Sequence, residues 1–229
     1  MASPSTAPSC LPRFVVRLSA AARLNRDVTA YALGLGRDAA SFDFGDNTLN
    51  GAMNESATPY VVNQQTGEYS AIPEFLDSQH QVHTPADAEA YLSRLHQMAK
   101  ALDAETDRIR RDGAKGVIQP DFILSNTLGQ QKDLLAISPP SARFVTALAR
   151  KANEAKLAGD WAGRARALAE SQIYPALARQ HAALSEQVPR AKHDAGVWQL
   201  ANGEAYYRDR KSTRLNSSHT DISRMPSSA

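Results

Sequence analysis

The segment at residues 84–113 reads TPADAEAYLSRLHQMAKALDAETDRIRRDG and has the clearest helical pattern in the chain. Thr84 suits the N-cap, Pro85 suits the first helical position, and Asp87 completes a box of the Thr-x-x-Asp kind. Gly113 predicts the end of the helix. A helix of roughly 28 residues spans about 40 Å, so it must lie along a larger core. Apolar side chains recur at helical spacing at Ala88, Tyr91, Leu92, Leu95, Met98, Leu102 and Ile109.

Helical spacing continues on both sides of this segment. Upstream it runs from Arg13 to about Ala40, and a short helix is predicted from Ile72 to about His80. Downstream, helices are expected at 120–135, at 141–159 and at 160–188, with Pro175 inside the last as a predicted kink. The upstream stripe comprises Val16, Ala20, Leu24, Val28, Tyr31 and Leu35. The fold class predicted is mostly α, with long amphipathic helices.

Two short stretches favour β-hairpins. Tyr60-Val61-Val62 is followed by the turn-like Gln64-Gln65-Thr66-Gly67, with Tyr69 expected to resume a second strand. Val197-Trp198-Gln199-Leu200 precedes Asn202-Gly203, a dipeptide typical of tight hairpin turns, and a second strand or a helix is expected from Glu204 to Tyr207. One or two short hairpins are therefore expected among the helices.

Composition excludes several classes of protein. Of the 229 residues 42% are hydrophobic, but no apolar run approaches the roughly 18 residues that would cross a membrane. A single cysteine excludes an intramolecular disulfide framework. Residues 1–12 are small, polar and rich in Pro, without the features of a signal peptide, and we expect a disordered lead-in. The helical domain is expected to span residues 13–208.

The last 21 residues, 209–229, predict an artefactual or disordered tail. They hold four of the 26 basic and two of the 24 acidic residues, so the remainder is balanced at 22 each. That balance gives no electrostatic indication of a nucleic-acid partner. Back-translation of 209–219 and 223–229 resembles an indexed sequencing adapter, and residues 220–222 fill the index gap. Such a scar is excluded from reasoning about the fold.

The histidines do not form a convincing metal or catalytic site. His80 and His83 have the spacing His-x-x-His, but zinc needs at least three ligands and this pair straddles a predicted helix end. His96 flanks the apolar stripe of the long helix. His181 and His193 have no carboxylate at a useful helical offset, apart from Asp194, which is adjacent to His193.

Other candidate groups are better explained by structure than by chemistry. Asp103, Glu105 and Asp107 alternate by two, which predicts different helix faces and a salt-bridged exterior. Phosphate-binding glycine loops and nucleophile elbows are absent from the sequence. We assign no catalytic, cofactor-binding or metal-ligating residue. Core packing is expected for the aromatic residues Tyr91, Phe122, Phe144, Trp161 and Trp198.

The order of several motifs resembles the bacterial family of unknown function DUF885. The matching stretches are PYVVNQQTGEYSAIPEFLDSQHQVHTPADAEAYLSRL at 59–95, GVIQPDF at 116–122, AGDW at 158–161, IYPALARQ at 173–180 and HDAGVWQLANGEAYY at 193–207. The resemblance runs from about residue 26 to Tyr207.

This resemblance implies a mostly helical, zinc-metallopeptidase-like hydrolase of which the present chain is an incomplete part. The implied zinc motif is His-Glu-x-x-His-like or His-Glu-x-x-x-Gly-His-like and lies downstream of residue 207. The present sequence contains no His-Glu dipeptide, so no metal or catalytic position can be carried over. Members are often exported, which leaves the compartment of this chain unassigned.

Two functions follow as expectations. In the first, the chain is the non-catalytic N-terminal portion of such a hydrolase. Zinc and a peptide substrate then belong to the full-length parent, and the partner of this chain is the rest of its own fold. In the second, the chain is a short, stand-alone helical scaffold that binds a partner without catalysis.

Overall fold

The computed structural model describes residues 18–39, 41–45 and 59–207, and these residues are helical or irregular. Residues 1–12 and 209–229, for which a lead-in and a tail are predicted, lie outside the described residues. Within these residues, single 3-10 turns occur at Pro139–Ser141, Val188–Arg190 and Val197–Gln199. The main helices are α1 (Ala20–Ala39), α2 (Glu68–Ser78), α3 (Pro85–Ala114), α4 (Asp121–Ala136), α5 (Arg143–Glu154), α6 (Trp161–Leu168) and α7 (Tyr174–Ser185).

Helix α3 is the longest described helix and forms the axis of the fold. Its start is the predicted capping box: the Thr84 hydroxyl accepts from the Asp87 backbone N–H, and the Asp87 carboxylate accepts from the Thr84 N–H at 2.8 Å. One face of α3 packs against α7, and its flanks contact α2 and α6. The predicted stripe is buried throughout, including Tyr91, Leu95 and Leu102.

The apolar residues separate into two clusters. The main core is formed mainly by side chains from helices α2 to α7 and from residues 61 and 62. It contains the fully buried leucines of the described residues, among them Leu76, Leu124 and Leu148. A smaller cluster joins distant parts of the described chain, since Phe44 packs with Leu200 and Tyr206 and with Val117, which follows α3. The second cluster therefore fixes the 193–207 segment against the body of the fold.

Pro175 does not break its helix, because the chain changes helical register just before it. Residues Ala169–Ile173 form one π-helical turn, and the Tyr174 N–H donates to the Ala169 carbonyl five residues earlier. Pro175 then occupies the first turn of α7, where a missing N–H costs little. The predicted kink is thus accommodated by a π-turn between α6 and α7.

The first predicted hairpin is wrong. Asn63 and Thr66 do exchange backbone hydrogen bonds, and the Asn63 carboxamide oxygen accepts from the Gln65 N–H at 2.7 Å. No second strand follows, because Gly67, with φ of 133°, redirects the backbone into α2 at Glu68. Tyr69 consequently lies on a helix. The turn signal was real, but the turn leads into a helix.

The second predicted hairpin is wrong as well. Val197–Gln199 form a 3-10 turn, started by the Gly196 N–H donating to the Asp194 carboxylate at 2.8 Å. Asn202 does adopt a left-handed conformation, with φ of 60°. The backbone then enters a helical turn at residues 203–207. No strand occurs in any of the described ranges.

Helix α1 exposes apolar side chains. Leu24, Val28 and Tyr31 follow one another at helical spacing and are 64%, 59% and 66% exposed. The helix was predicted from Arg13 and is described from Ala20 onward. Nothing in the described part of the chain covers this stripe, whereas the equivalent stripe of α3 is buried.

Candidate functional site

The two histidines of the His-x-x-His pair do not meet. His80 is buried: its Nδ1 lies 2.8 Å from a guanidinium nitrogen of Arg94, and its Nε2 lies 3.1 Å from the Asp87 carbonyl. Since Arg94 can only donate, His80 Nδ1 accepts and Nε2–H donates. Burial lowers the pKa of His80 and favours this neutral form. His83 is exposed, so the two histidines have different environments at the entry to α3.

The other described histidines also act singly. His96 Nδ1 lies 2.6 Å from the Gln172 carboxamide oxygen in the π-turn, which agrees with its predicted place beside the stripe. His193 is exposed and pairs with Asp121, at 3.0 Å, a partner 72 residues away that helical offsets could not reveal. The Nδ1 of His181 is buried and makes no hydrogen bond within the described structure.

The three alternating carboxylates have three different environments. Asp103 forms two hydrogen bonds with Arg179, at 2.8 and 2.9 Å, and Asp107 lies exposed 3.9 Å from Arg110. For these two the prediction of a charged exterior is confirmed. For Glu105 it is wrong, because that side chain is only 5% exposed and faces α7.

Glu105 belongs to a buried polar chain that crosses the core. Its carboxylate accepts from the Glu68 backbone N–H at 3.0 Å and from the Gln180 amide at 2.9 Å. The Gln180 oxygen accepts in turn from the Gln131 amide at 2.8 Å, while the Gln131 oxygen has no partner. Burial raises the pKa of Glu105 to about 7, against the opposing effect of these two donors.

A signal for Glu105 was present in the sequence. Met98, Leu102 and Ile109 are spaced so that position 105 falls on the same face, three residues after Leu102 and four before Ile109. A carboxylate in such a stripe must find buried donors or remain protonated. Because Glu105 is closed off from solvent, a proton on its carboxyl group is favoured in the folded protein.

Lys151 is a second buried charge that the sequence analysis missed. Its ammonium donates to the carbonyls of Leu76 and His80, at 2.7 and 2.5 Å, and so satisfies the C-terminal end of α2. Burial lowers the pKa of Lys151. The contact connects α5 to α2 and explains a lysine on the inner face of an amphipathic helix.

The 193–207 segment lines a cavity of about 260 Å³. Arg190, Lys192 and Asp194 bring charges of both signs to its wall, and Tyr60 also lines it. The backbone is held just before this segment, because the Lys192 carbonyl accepts from the Asp121 N–H at 3.0 Å. A cavity with this mixed polar lining suits a small polar molecule or part of a larger one.

The aromatic residues follow the expectation in part. Tyr91, Phe144 and Trp161 are buried, and the Trp161 indole donates to the Ala158 carbonyl at 3.1 Å. Trp198 is 72% exposed and Phe122 is also exposed, so core packing is wrong for both. Trp198 extends from the 3-10 turn that replaced the predicted strand.

A metal centre is not assembled in the described ranges. Within residues 18–39, 41–45 and 59–207, no three His, Cys, Asp or Glu side chains converge as a metal site requires. Nor is any helix in those ranges long and apolar enough to cross a membrane.

Comparison with known proteins gives a family match and a match to solved structures. The crystal structure of the "putative lipoprotein" from Colwellia psychrerythraea has the same fold, with a TM-score of 0.64 at 19% sequence identity. The alignment covers 79% of the present chain and 36% of that chain. None of the curated proteins matches the sequence.

The family profile for bacterial proteins of unknown function DUF885 matches residues 15–223. The matched range includes every motif on which the resemblance depended, and it also includes residues 209–223 of the tail. It covers far more than half of the chain, and the helical fold agrees with the structural neighbour. The chain therefore belongs to the DUF885 family.

Proposed function

We propose that this chain is the non-catalytic helical portion of a longer DUF885 protein, and that the complete protein is a zinc-dependent, peptidase-like hydrolase. The observation that carries the proposal is the difference in length between the aligned chains. Most of the present chain aligns with only 36% of the structural neighbour. The remaining part of such a protein is where the catalytic residues would lie.

The residues of the chain support a non-catalytic role. A hydrolytic zinc site of the implied kind takes two His from a motif that also supplies the general-base Glu. The sequence has six His and none precedes a Glu. His80 and His193, the best placed of them, already bind Arg94 and Asp121.

The exposed face of α1 supports the proposal that another part of the family fold packs against this chain. Leu24, Val28 and Tyr31 form an apolar stripe in water, and such stripes normally pack against another element. In this proposal the stripe contacts the rest of the family fold. The cavity lined by the 193–207 segment would then form part of the cleft for a peptide substrate.

Export of the complete protein is a related proposal. It is supported by the description of the structural neighbour as a lipoprotein. Fractionation of the source bacterium with an antibody against this chain would test it: signal in the envelope or medium is expected, and signal confined to the cytosol would contradict it.

The central experiment asks whether the chain alone has a metal centre. The purified chain would be incubated with zinc, dialysed and assayed for bound metal and for cleavage of a quenched fluorescent peptide. We expect neither stoichiometric zinc nor cleavage. One retained zinc per chain, or peptide cleavage that a chelator abolishes, would contradict the proposal.

A second function is favoured by one observation, the continuous core of residues 61–184 with its capped central helix. This core suits a stand-alone scaffold that binds a partner. The two functions differ in the behaviour of the isolated chain: we expect a stand-alone scaffold to be a monomer, and a portion of a larger fold to keep its folded core but to self-associate through the exposed stripe of α1.

A further inference from the structure

A cleft of about 500 Å³ opens between α2 and the C-terminal half of α4. Its floor is apolar and belongs to the main core, since Met98, Phe144 and Ile173 form it together with Leu177. Leu134 forms one wall. Cavities of this size hold small organic molecules, and apolar floors are typical of such sites.

Three polar groups that line the cleft, those of Arg143, Glu74 and Tyr174, already have hydrogen-bond partners. The Arg143 guanidinium binds Glu74 at 2.6 Å and Asp77 at 2.8 Å. The Tyr174 hydroxyl donates to the Ile137 carbonyl at 2.7 Å. A charged ligand would therefore find no uncompensated charge at this rim, and an anion would meet Glu74.

The π-turn is an independent feature of the same cleft. Ile173, its last residue, lies in the floor, and Tyr174, the next residue, lies at the rim. The turn changes the helical register between α6 and α7 and also accommodates Pro175. Such turns occur often at functional sites.

We infer that this cleft is a binding site for a small, uncharged, predominantly apolar molecule. The inference goes beyond the proposed function and does not depend on it, because every residue that lines the cleft lies in the described part of the chain. The ligand would bury its apolar body against Met98, Phe144 and Ile173. The Arg143–Glu74 pair at the rim disfavours an acid.

The test uses two fluorescent probes that differ in charge. N-phenyl-1-naphthylamine is neutral, and 1-anilinonaphthalene-8-sulfonate is an anion of similar shape. We expect the neutral probe to bind the full chain saturably at one molecule per chain, and the anion to bind at least about tenfold more weakly. Equal affinities, or many probe molecules per chain, would overturn the inference.

Two variants locate the probe. Leu134→Trp fills the cleft from α4 and Ala71→Trp fills it from α2. Leu128→Trp is the matched control, since Leu128 is a partly buried leucine on α4 that does not line the cleft. We expect each cleft variant to weaken the neutral probe at least about tenfold, and the control to bind as the unaltered chain does.

Circular dichroism would first establish which variants fold. The two cleft variants change different helices, so the test still works if only one of them folds. Unchanged binding in a folded cleft variant would place the probe elsewhere, for example on α1. Binding that appears only as a dimer dissociates on dilution would show that a second copy occupies the cleft. Either result would overturn the inference.

Discussion

Gln180 on α7 donates a 2.9 Å hydrogen bond from its side-chain amide to the carboxylate of Glu105 on α3, and both side chains are shielded from water. This contact joins the two helices that form the most extensive packing of the fold. A carboxylate at this position makes the stability of the core depend on pH.

Replacement of Glu105 by Gln tests that dependence. Burial raises the pKa of Glu105 from 4.5 to about 7, so the folded protein holds a proton that the unfolded chain has released. Its contribution is fully favourable below pH 4.5 and is lost as the pH rises to about 7, at a cost of about 3 kcal/mol. In E105Q, this fall in the free energy of unfolding should disappear.

The measurement is urea unfolding between about pH 5 and pH 8. Asp107→Asn is the matched control, because it removes a carboxylate from the exposed face of the same helix. The control should keep the slope of the unaltered protein. A slope that persists in E105Q would show that Glu105 does not carry a raised pKa.

Replacement of Gln180 by Leu removes the side-chain amide that donates a hydrogen bond to the Glu105 carboxylate. We expect a loss of about 2 kcal/mol at pH 8, because an ionised buried carboxylate then lacks a donor. The loss should be smaller at pH 5, where Glu105 is protonated. Equal losses of stability at pH 5 and pH 8 would contradict a hydrogen bond from Gln180 to an ionised Glu105. In the double variant with E105Q the pH dependence of the loss should vanish.

Replacement of Lys151 by Met tests the connection between α5 and α2. The variant leaves the carbonyls of Leu76 and His80 without their donor, and we expect a loss of about 2 kcal/mol with faster hydrogen exchange at the end of α2. Arg150→Met is the control, since Arg150 makes exposed ion pairs only with Asp77 and Glu154. If R150M lost as much stability as K151M, the loss would come from the change in surface charge and not from the buried hydrogen bonds of Lys151.

The exposed stripe of α1 predicts that polar substitutions there leave the stability of the isolated chain almost unchanged. Replacing Leu24, Val28 and Tyr31 together by Gln should change the free energy of unfolding of the isolated chain by less than about 1 kcal/mol, because no described residue covers them. Light scattering should show less self-association. Leu95→Gln, in the buried stripe of α3, should abolish folding. Strong destabilisation by the triple variant would mean that the chain itself covers α1.

The sequence predicted the helices well where local chemistry determines them. Thr84, Pro85 and Asp87 define the start of α3 without help from the rest of the chain, and the structure confirms that start. Pro175 correctly predicts an irregularity in its helix. Local rules predict a kink there, but they cannot predict that a π-turn just before Pro175 accommodates the proline.

The errors share a physical cause, because each depended on contacts between distant residues. A turn at Asn63 or Asn202 is a local event, but whether a strand or a helix follows depends on packing against the core. The partners of Glu105 and Lys151 come from helices about 75 residues away along the chain. Periodicity could place these residues on inner faces, but it could not identify what they bind there.

The central claim is that this chain is part of a longer DUF885 protein and does not itself hold the catalytic centre. It is tested most directly by reading the source DNA across the codon for Tyr207 with long reads that carry no adapter. The account predicts that the frame continues past this codon and reaches a His-Glu zinc motif. A genomic frame that encodes residues 209–229 and then stops would contradict it.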